Sequence, residues 1–393
     1  MNGVKFIREN GGLGRTLASD DATSGLIVYG ETAVEKALIL SIEDLEALSV
    51  TAESHPVLHY HVSEFFRINL GAKLYIQSVA SSDQNYTEVK VLQNFAQGRI
   101  RQLAVCDFKT ASSNLQTCVK KLQTIATELG KRITPLSILF SLKVQTSEMT
   151  SLPDLHTMES DKVSVVIGQD GAGRGNYLHQ TQNSLSCIGA ILGALSKAKV
   201  HESIAYVERQ NLVTTTYDKA LTGDAWKALE LDVPAFCDGS KLGDYTPQQL
   251  DSLNDKGYIF LTQYAGNAGT YANDSFTASA LNSDYAYIEN NRVLDKAIRE
   301  VNRILVPKIS APVYIDADTG YLEAANVAAL EALCDEPLDE MKRNGELSGY
   351  RVYIDPRQNV LQKSKLEVVI KVVPVGTLRQ IEVKIGLTLN LNN

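Results

Sequence analysis

A glycine-rich segment, Gly171-Ala-Gly173-Arg-Gly175, follows the strand-like residues 163–168 and invites a nucleotide-binding interpretation. Backbone N–H groups in such a turn can bind phosphate. However, a Walker A loop needs a Gly-Lys-Ser/Thr ending, and a dinucleotide fingerprint needs GxGxxG at the start of a helix. Neither spacing is present, so we expect an ordinary loop, whose backbone conformations Gly and Asp favour. A soluble α/β nucleotide-binding protein or enzyme that uses Gly171–Gly175 is kept as the alternative.

Three histidines, His55, His59 and His61, are close enough in sequence to suggest a metal site. His55 and His59 could share a helical face, but His61 points elsewhere, and no nearby cysteine or carboxylate pair completes a ligand set. The segment Asp316–Gly320 begins like a calcium loop but lacks the closing glutamate, which favours a polar turn. The five cysteines are scattered without a CxxC pair, as is typical of small buried residues. The sequence therefore predicts no catalytic residue, no metal and no cofactor.

A basic stripe lies on a long amphipathic helix that is predicted over residues 288–306. Arg292, Lys296, Arg299 and Arg303 are spaced by four, three and four residues and therefore share one face. Acidic residues flank the stripe, so a solvent-exposed face with intrahelical ion pairs is one interpretation. A docking face for an acidic partner is the other.

The elements that would position these residues have an α/β pattern. Apolar strand-like segments alternate with helical periodicity through the first half, which implies right-handed crossovers and a mainly parallel sheet covered by helices. The strand segments are near 26–29, 73–79, 101–107, 138–144 and 163–168, and the helices near 56–66, 86–96 and 111–129. The second half is predicted to contain helices over 184–197 and 246–257, strands over 203–207 and 258–262, and acidic helices over 322–334 and 338–343.

Composition limits the possible partners. The chain has 393 residues, of which 44% are hydrophobic and 21% charged, so packed cores are expected rather than disorder. Its net charge of −8 gives no general affinity for nucleic acid or anionic membranes. No segment approaches ~20 apolar residues, and no signal-peptide core is evident, so neither membrane insertion nor secretion through a cleaved signal is expected.

The N-terminal end is predicted to be a strand detached from the folded body. Val4, Phe6 and Ile7 belong to this strand, and Gly11–Gly14 separates it from the α/β region. A strand with unpaired edges is a structure that a monomer would have to protect. This segment is therefore a candidate for pairing with another molecule.

The C-terminal end is predicted to contain a pair of strands, Leu366–Val373 and Leu378–Ile385, followed by an alternating segment. Leu387, Leu389 and Leu391 share one face of that segment. Residues 378–391 could extend about 45 Å at ~3.3 Å per residue, enough to reach a neighbouring subunit. Strand addition of this kind uses main-chain hydrogen bonds for affinity, and a head-to-tail contact that does not close produces a helical filament.

Several of these segments together resemble contractile tail sheath proteins. They are the strand Tyr258–Thr262, the helix Asn291–Asn302, the helix Ser186–Leu195 before the segment Ser203–Val207, and the terminal strands that end at Leu378–Leu391. The similarity covers most of the chain and is greatest to the short, single-chain sheaths of phage tails and related bacterial injection particles. It implies an α/β (α+β) sheath-type core with a mixed, mainly parallel sheet flanked by helices, and extended terminal strand arms exchanged between subunits.

The resemblance also implies a function without enzyme activity or a cofactor. Such a subunit polymerises into a helical contractile sheath around an inner tube and contracts to drive the tube through a target envelope. Its partners would be copies of itself, the inner tube protein, and baseplate and terminal cap proteins, with neither nucleic acid nor direct membrane insertion. Val4, Phe6, Ile7, Leu387, Leu389 and Leu391 would belong to the exchanged arms. The basic stripe would face the tube. A non-contractile structural tail protein is a further alternative.

The same resemblance suggests a division of the chain. We expect an N-terminal linker arm at 1–20, an α/β sheath region at 21–255 that includes any outer or inserted domain, a C-terminal sheath core at 256–364, and a strand pair with a linker arm at 365–393. We also expect the protein to be made and assembled in the bacterial cytoplasm without a signal peptide. It would then be a component of a phage tail or an injection particle.

Overall fold

A six-stranded sheet forms the centre of the protein in a computed structural model that describes residues 20–213 and 229–387. Its strands are β1 Ser24–Tyr29, β2 Ala37–Ile39, β3 Leu74–Val79, β4 Gln102–Ala111, β5 Ser137–Lys143 and β6 Val163–Val165. The spatial order is β2-β3-β1-β4-β5-β6, and all neighbours are parallel except β2 and β3. This arrangement confirms the predicted mixed, mainly parallel sheet.

Helices cover both faces of this sheet. They are α1 Ile42–Ala47, α2 Pro56–Ile68, α3 Glu88–Phe95, α4 Leu115–Lys131, α5 Arg174–Gln182 and α6 Ile188–Lys197. Alternating residues of β1 belong to different cores: Leu26 and Val28 pack in the core that includes α2 and α6, and Ile27 and Tyr29 in the core with α3 and α4. Alternation along each strand thus produces a three-layer body.

Two glycines allow α6 to pack closely against α2. A Cβ added at Gly189 would lie 2.4 Å from the carbonyl oxygen of His61, and one added at Gly193 would lie 3.0 Å from that of Phe65. Any larger side chain would therefore push the helices apart. This close packing explains why the helix predicted over 184–197 is rich in small residues.

The remaining elements lie after the central sheet. The helices are α7 Pro247–Asp255, α8 Ile288–Leu305, α9 Ala324–Arg343 and α10 Val360–Lys363, and the strands are β7 Gly168–Asp170, β8 Pro234–Phe236, β9 Leu261–Tyr264, β10 Asn267–Ala272, β11 Leu347–Tyr353 and β12 Val369–Pro374. The strands pair antiparallel as β7 with β8, β9 with β10, and β11 with β12. Thr246 and Gln249 form a capping box at the start of α7, within the helix predicted over 246–257.

Several local predictions were wrong. Residues 203–207 form turns instead of a strand, and the segment 258–262 forms a regular strand only from Leu261, after a single bridge at Ile259. The two acidic helices are one helix, α9, with Pro337 inside it. Pro337, Leu338 and Met341 are buried, so tertiary packing offsets the backbone hydrogen bond that a proline cannot donate.

The C-terminal strand pairing also differs from the prediction. β12 pairs with β11, with Tyr350 opposite Val372, and not with residues 378–385. The inner face of this two-stranded sheet packs against α8 and α9. Residues 378–387 form no strand within this chain. A strand bonds its N–H and C=O groups to a neighbouring strand, and the described part of this chain supplies no such neighbour there.

Candidate functional site

The glycine-rich loop is filled by carboxylates of the protein itself. The Asp170 carboxylate accepts hydrogen bonds from the N–H groups of Ala172, Gly173 and Leu231, at 3.0, 3.1 and 2.7 Å. The Glu230 carboxylate accepts from the N–H of Arg174, the first residue of α5, at 3.3 Å. These donors are the groups that would bind a phosphate, so the loop geometry does not favour the nucleotide-binding alternative.

Burial controls the charge of these carboxyl groups. Asp170 and Glu230 are 0% and 6% exposed. Burial raises the pKa of Asp170 to about 6, although three backbone N–H groups act in the opposite direction. Burial, followed by the nearby Glu64 and Asp170, raises the pKa of Glu230 to about 8. Glu230 therefore holds a proton at neutral pH, and the cluster joins β7, α5 and the segment at 230–231.

The three histidines diverge. His61 is buried with its Nε2 3.2 Å from the Cys106 sulfur, and burial lowers its pKa to about 3. The His59 ring contacts Glu46 and Arg174, whereas His55 contacts Ser54 and the carbonyl of Thr32. Among residues 20–213 and 229–387, no group of His, Cys, Asp and Glu is arranged to hold a metal ion.

The possible calcium loop at Asp316 is a polar turn. Its carboxylate accepts hydrogen bonds from Asp318 and Thr319 at 2.8–3.1 Å. All five cysteines are buried and free. In the part of the chain that the structure describes, no helix is both long and apolar enough to cross a membrane.

The basic residues of α8 do not form one exposed stripe. Arg292 is 4% exposed and donates hydrogen bonds to the carbonyls of Ala198 and Lys199, each at 3.3 Å. Burial lowers its pKa to about 10. The Lys296 ammonium lies 2.8 Å from the Asp21 carboxylate and 2.7 Å from that of Glu346. Residues from elsewhere in the chain therefore cover Arg292 and Lys296.

In the C-terminal half of the stripe, Arg299 is covered as well as Lys296 is, whereas Arg303 is accessible. Arg299 pairs with Asp21 at 3.0 Å, and its side chain is 12% exposed. Arg303 pairs with Glu300 within the helix at 2.8 Å, and its side chain is 65% exposed. Of the four basic residues, Arg303 alone presents most of its side chain to solvent.

Of the six candidate arm residues, one lies within the described residues and five lie outside them. Val4, Phe6 and Ile7, with Leu389 and Leu391, lie outside the described residues. Leu387 is described and fully exposed. The preceding apolar residues at alternate positions are also exposed: Ile381 by 73%, Val383 by 75% and Ile385 by 94%. This segment therefore carries an apolar face that the described part of its own chain leaves uncovered.

The sequence analysis missed the contacts that hold the start of this segment. Arg379 donates to both carboxylate oxygens of Asp274 at 3.1 Å, pairs with Glu289, and lies over the ring of Tyr287. The carboxylate partners are 90 to 105 positions away in sequence. No local pattern could have indicated them. Strand β11 was missed as well, although Tyr350 and Val352 at alternate positions are a local signal that could have indicated it.

Comparison with known proteins places this fold among those of contractile tail sheaths. A chain of the anti-feeding prophage baseplate matches with a TM-score of 0.62 at 16% identity, covering 98% of this chain and 99% of that one. The sheath of an extracellular contractile injection system, in its contracted state, matches with a TM-score of 0.61 at 12% identity, covering 99% and 98%. A sheath tail protein from Listeria innocua matches with a TM-score of 0.53 at 11% identity, covering 92% and 96%. The protein therefore has the predicted contractile-sheath fold.

Family models identify the chain more narrowly. The DUF2586 N-terminal domain matches residues 1–276, and the DUF2586 C-terminal domain matches residues 284–392. The protein belongs to the DUF2586 family. No curated protein matches the sequence significantly.

Proposed function

We propose that this protein is a structural subunit of a contractile sheath, which polymerises around an inner tube and contracts to drive that tube through a target envelope. The carrying observation is the sheath-type fold, shared over 92–99% of the chain with the three solved structures. The shared range includes the C-terminal elements as well as the central sheet. A likeness confined to the sheet would favour a general α/β protein, because many unrelated functions use that arrangement.

The exposed segment 381–387 supports polymerisation in particular. Four apolar side chains at alternate positions leave one face of this segment in water. Exposed apolar surface of this kind marks an interaction site. β11 and β12 form a sheet of only two strands, so that, within the described residues, each outer edge lacks a partner strand. We infer that segment 381–387 adds to an edge of this kind on a neighbouring subunit.

The remaining parts of the proposal use the predicted division of the chain. Residues 1–20 and 365–393 contain the exchanged arms, with Val4, Phe6, Ile7, Leu387, Leu389 and Leu391 as their apolar contacts. Arg303 is the most accessible residue of the stripe to meet an acidic inner tube, while Arg292, Lys296 and Arg299 support the helix that presents it. The partners are further copies of this chain, the inner tube, and baseplate and terminal cap proteins. The particle is a phage tail or a related injection device, assembled in the cytoplasm.

An enzymatic role has less support. The loop at Gly171–Gly175 is occupied by Asp170 and Glu230, and the histidines face different partners. Contraction needs no bound nucleotide in this proposal. Its energy comes from the difference between two sets of subunit contacts.

Electron microscopy of the purified protein tests the proposal. We expect the full chain to form helical tubes, and to coat an inner tube when that protein is present. Deletion of residues 381–393 keeps Arg379 in place and should leave the circular dichroism and melting temperature unchanged but abolish the tubes. A full-length protein that stays monomeric at all concentrations with inner tube present would contradict the proposal.

A further inference from the structure

Helix α8 holds the base of the C-terminal segment at its first turn. We call the group formed by Asp274, Tyr287, Glu289 and Arg379 the C-terminal clasp. Arg379 contacts all three of the others, and Thr377 donates a further hydrogen bond to Glu289 at 3.3 Å. The apolar residues beyond Arg379 are highly exposed, from Ile381 at 73% to Leu387 at 107%. The chain therefore leaves the folded body at this clasp.

The same helix holds the base of the N-terminal segment two to three turns further on. We call Asp21, Lys296, Arg299 and Glu346 the N-terminal clasp. Lys296 bridges Asp21 and Glu346 at 2.8 and 2.7 Å, and Arg299 contacts Asp21 at 3.0 Å. Asp21 lies in the short helical turn Asp20–Ala22, at the start of the described chain. Here, too, a chain segment joins the body at charged residues of α8.

Both clasps are partly shielded from water, which strengthens their ion pairs. Glu289 is 2% exposed as a side chain, Lys296 is 15% and Arg299 is 12%. Burial alone would raise the pKa of Asp21, but Lys296 and Arg299 outweigh it, so the pKa is lowered. Burial would lower the pKa of Arg379, but Glu289 and Asp274 raise it. Breaking such a pair leaves a charge with little solvent, which costs more than loss of a surface pair.

We propose that α8 is a rigid strut that connects the bases of the two exchanged arms, so that displacement of one arm is passed to the other. Glu289 is seven positions from Lys296 and ten from Arg299, about 10–15 Å along the helix at 1.5 Å per residue. The clasped bases, Asp21 and Arg379, are distant in sequence, so this short path exists only in the folded chain. The strut rests on the proposed function, because it matters only where arms bind neighbouring subunits.

The strut gives each subunit a defined mechanical role in a polymer. Neighbours on either side are connected through arm, clasp, helix, clasp and arm. With both clasps closed, movement of one neighbour acts on the next through rigid elements. With the C-terminal clasp open, the chain from Val375 to Arg379 becomes slack and absorbs the movement.

Arg379→Gln is the direct test, because it removes the positive charge of the C-terminal clasp and retains a polar side chain. The matched control is Arg357→Gln, which removes an arginine paired with Asp355 on the exposed surface. In the purified protein, thermolysin cleavage of the Thr377–Leu378 bond should become at least tenfold faster in Arg379→Gln and stay unchanged in the control. Unchanged cleavage in Arg379→Gln would overturn the clasp.

The coupling itself is tested in assembled sheaths. Arg379→Gln and Asp21→Asn should each still form tubes, but denaturant-triggered contraction should stop part-way along a tube, whereas the parent and Arg357→Gln contract throughout. The double variant should be no worse than either single one, because opening one clasp already interrupts the strut. Complete contraction in the single variants, or strictly additive defects, would overturn the strut. A parent protein that forms no tubes would instead contradict the proposed function, and the thermolysin result would still decide the clasp.

Discussion

Ile385→Asp tests the apolar face of segment 381–387 at a position that contributes little to the stability of the monomer. Ile385 is 94% exposed, so replacement of its side chain should change the free energy of unfolding of the monomer by no more than about 0.5 kcal/mol. Burial of an isoleucine against a neighbour is worth about 1.5–3 kcal/mol. In the proposed sheath each added subunit forms one such contact, and about 1.4 kcal/mol is a tenfold change in an equilibrium constant. The critical concentration for assembly should therefore rise at least about tenfold.

The control for this variant is Lys384→Asp on the opposite face of the segment. The Lys384 side chain is 89% exposed and would remain in solvent in a docked strand, so its replacement should shift the critical concentration less than about threefold. Sedimentation measures the critical concentration, and thermal melting measures the monomer. Equal effects of the two substitutions would refute one-sided docking of the strand. A large drop in the melting temperature of Ile385→Asp would place the side chain within its own subunit.

Three other variants probe helix packing, a buried carboxyl group and the contact with the tube. Gly189→Ala should destabilise the monomer by about 1–3 kcal/mol in chemical denaturation, because its Cβ would meet the His61 backbone. The control is Gly130→Ala on α4, whose Cβ would meet nothing within 4 Å. It should be neutral or stabilising by up to about 1 kcal/mol. The pKa of Glu230 is raised to about 8, so its contribution to stability is complete below pH ~4.5 and is lost as pH rises towards 8. Glu230→Gln should flatten this loss when the melting temperature is measured across that pH range. An unchanged slope of melting temperature against pH would contradict the raised pKa of Glu230. Arg303→Glu should reduce coating of the inner tube without blocking empty tubes, whereas Arg357→Glu, with a similarly exposed side chain, should coat normally; co-sedimentation with tube protein distinguishes them.

The elements predicted correctly are those whose signal is local. The apolar periodicity of α4 and the Thr246 capping box lie within a few turns of chain, and both are present. Strand pairing is not local in this way. Residues 378–385 have the alternation of a strand, but their partner cannot be read from the same residues, and β12 instead pairs with β11.

The charged residues show the same limit for the candidate site. Spacing alone placed Arg292 on a stripe with Arg303, yet the first is covered by the segment at 198–199 and the second is in solvent. The difference depends on which segment packs against each turn of α8. Arg379 was missed for a related reason, because its partners at Asp274 and Glu289 are brought to it only by the tertiary fold.

The two-stranded sheet of β11 and β12 has a consequence for the lifetime of free subunits. A sheet of two strands is marginally stable by itself, and this one depends on packing against α8 and α9 from one side only. Mass action stabilises any folded element that binds a second molecule. In the proposed sheath, the C-terminal part of an incorporated subunit should therefore resist proteases that cleave the same part of a free one. Unassembled copies would then be degraded before assembled ones.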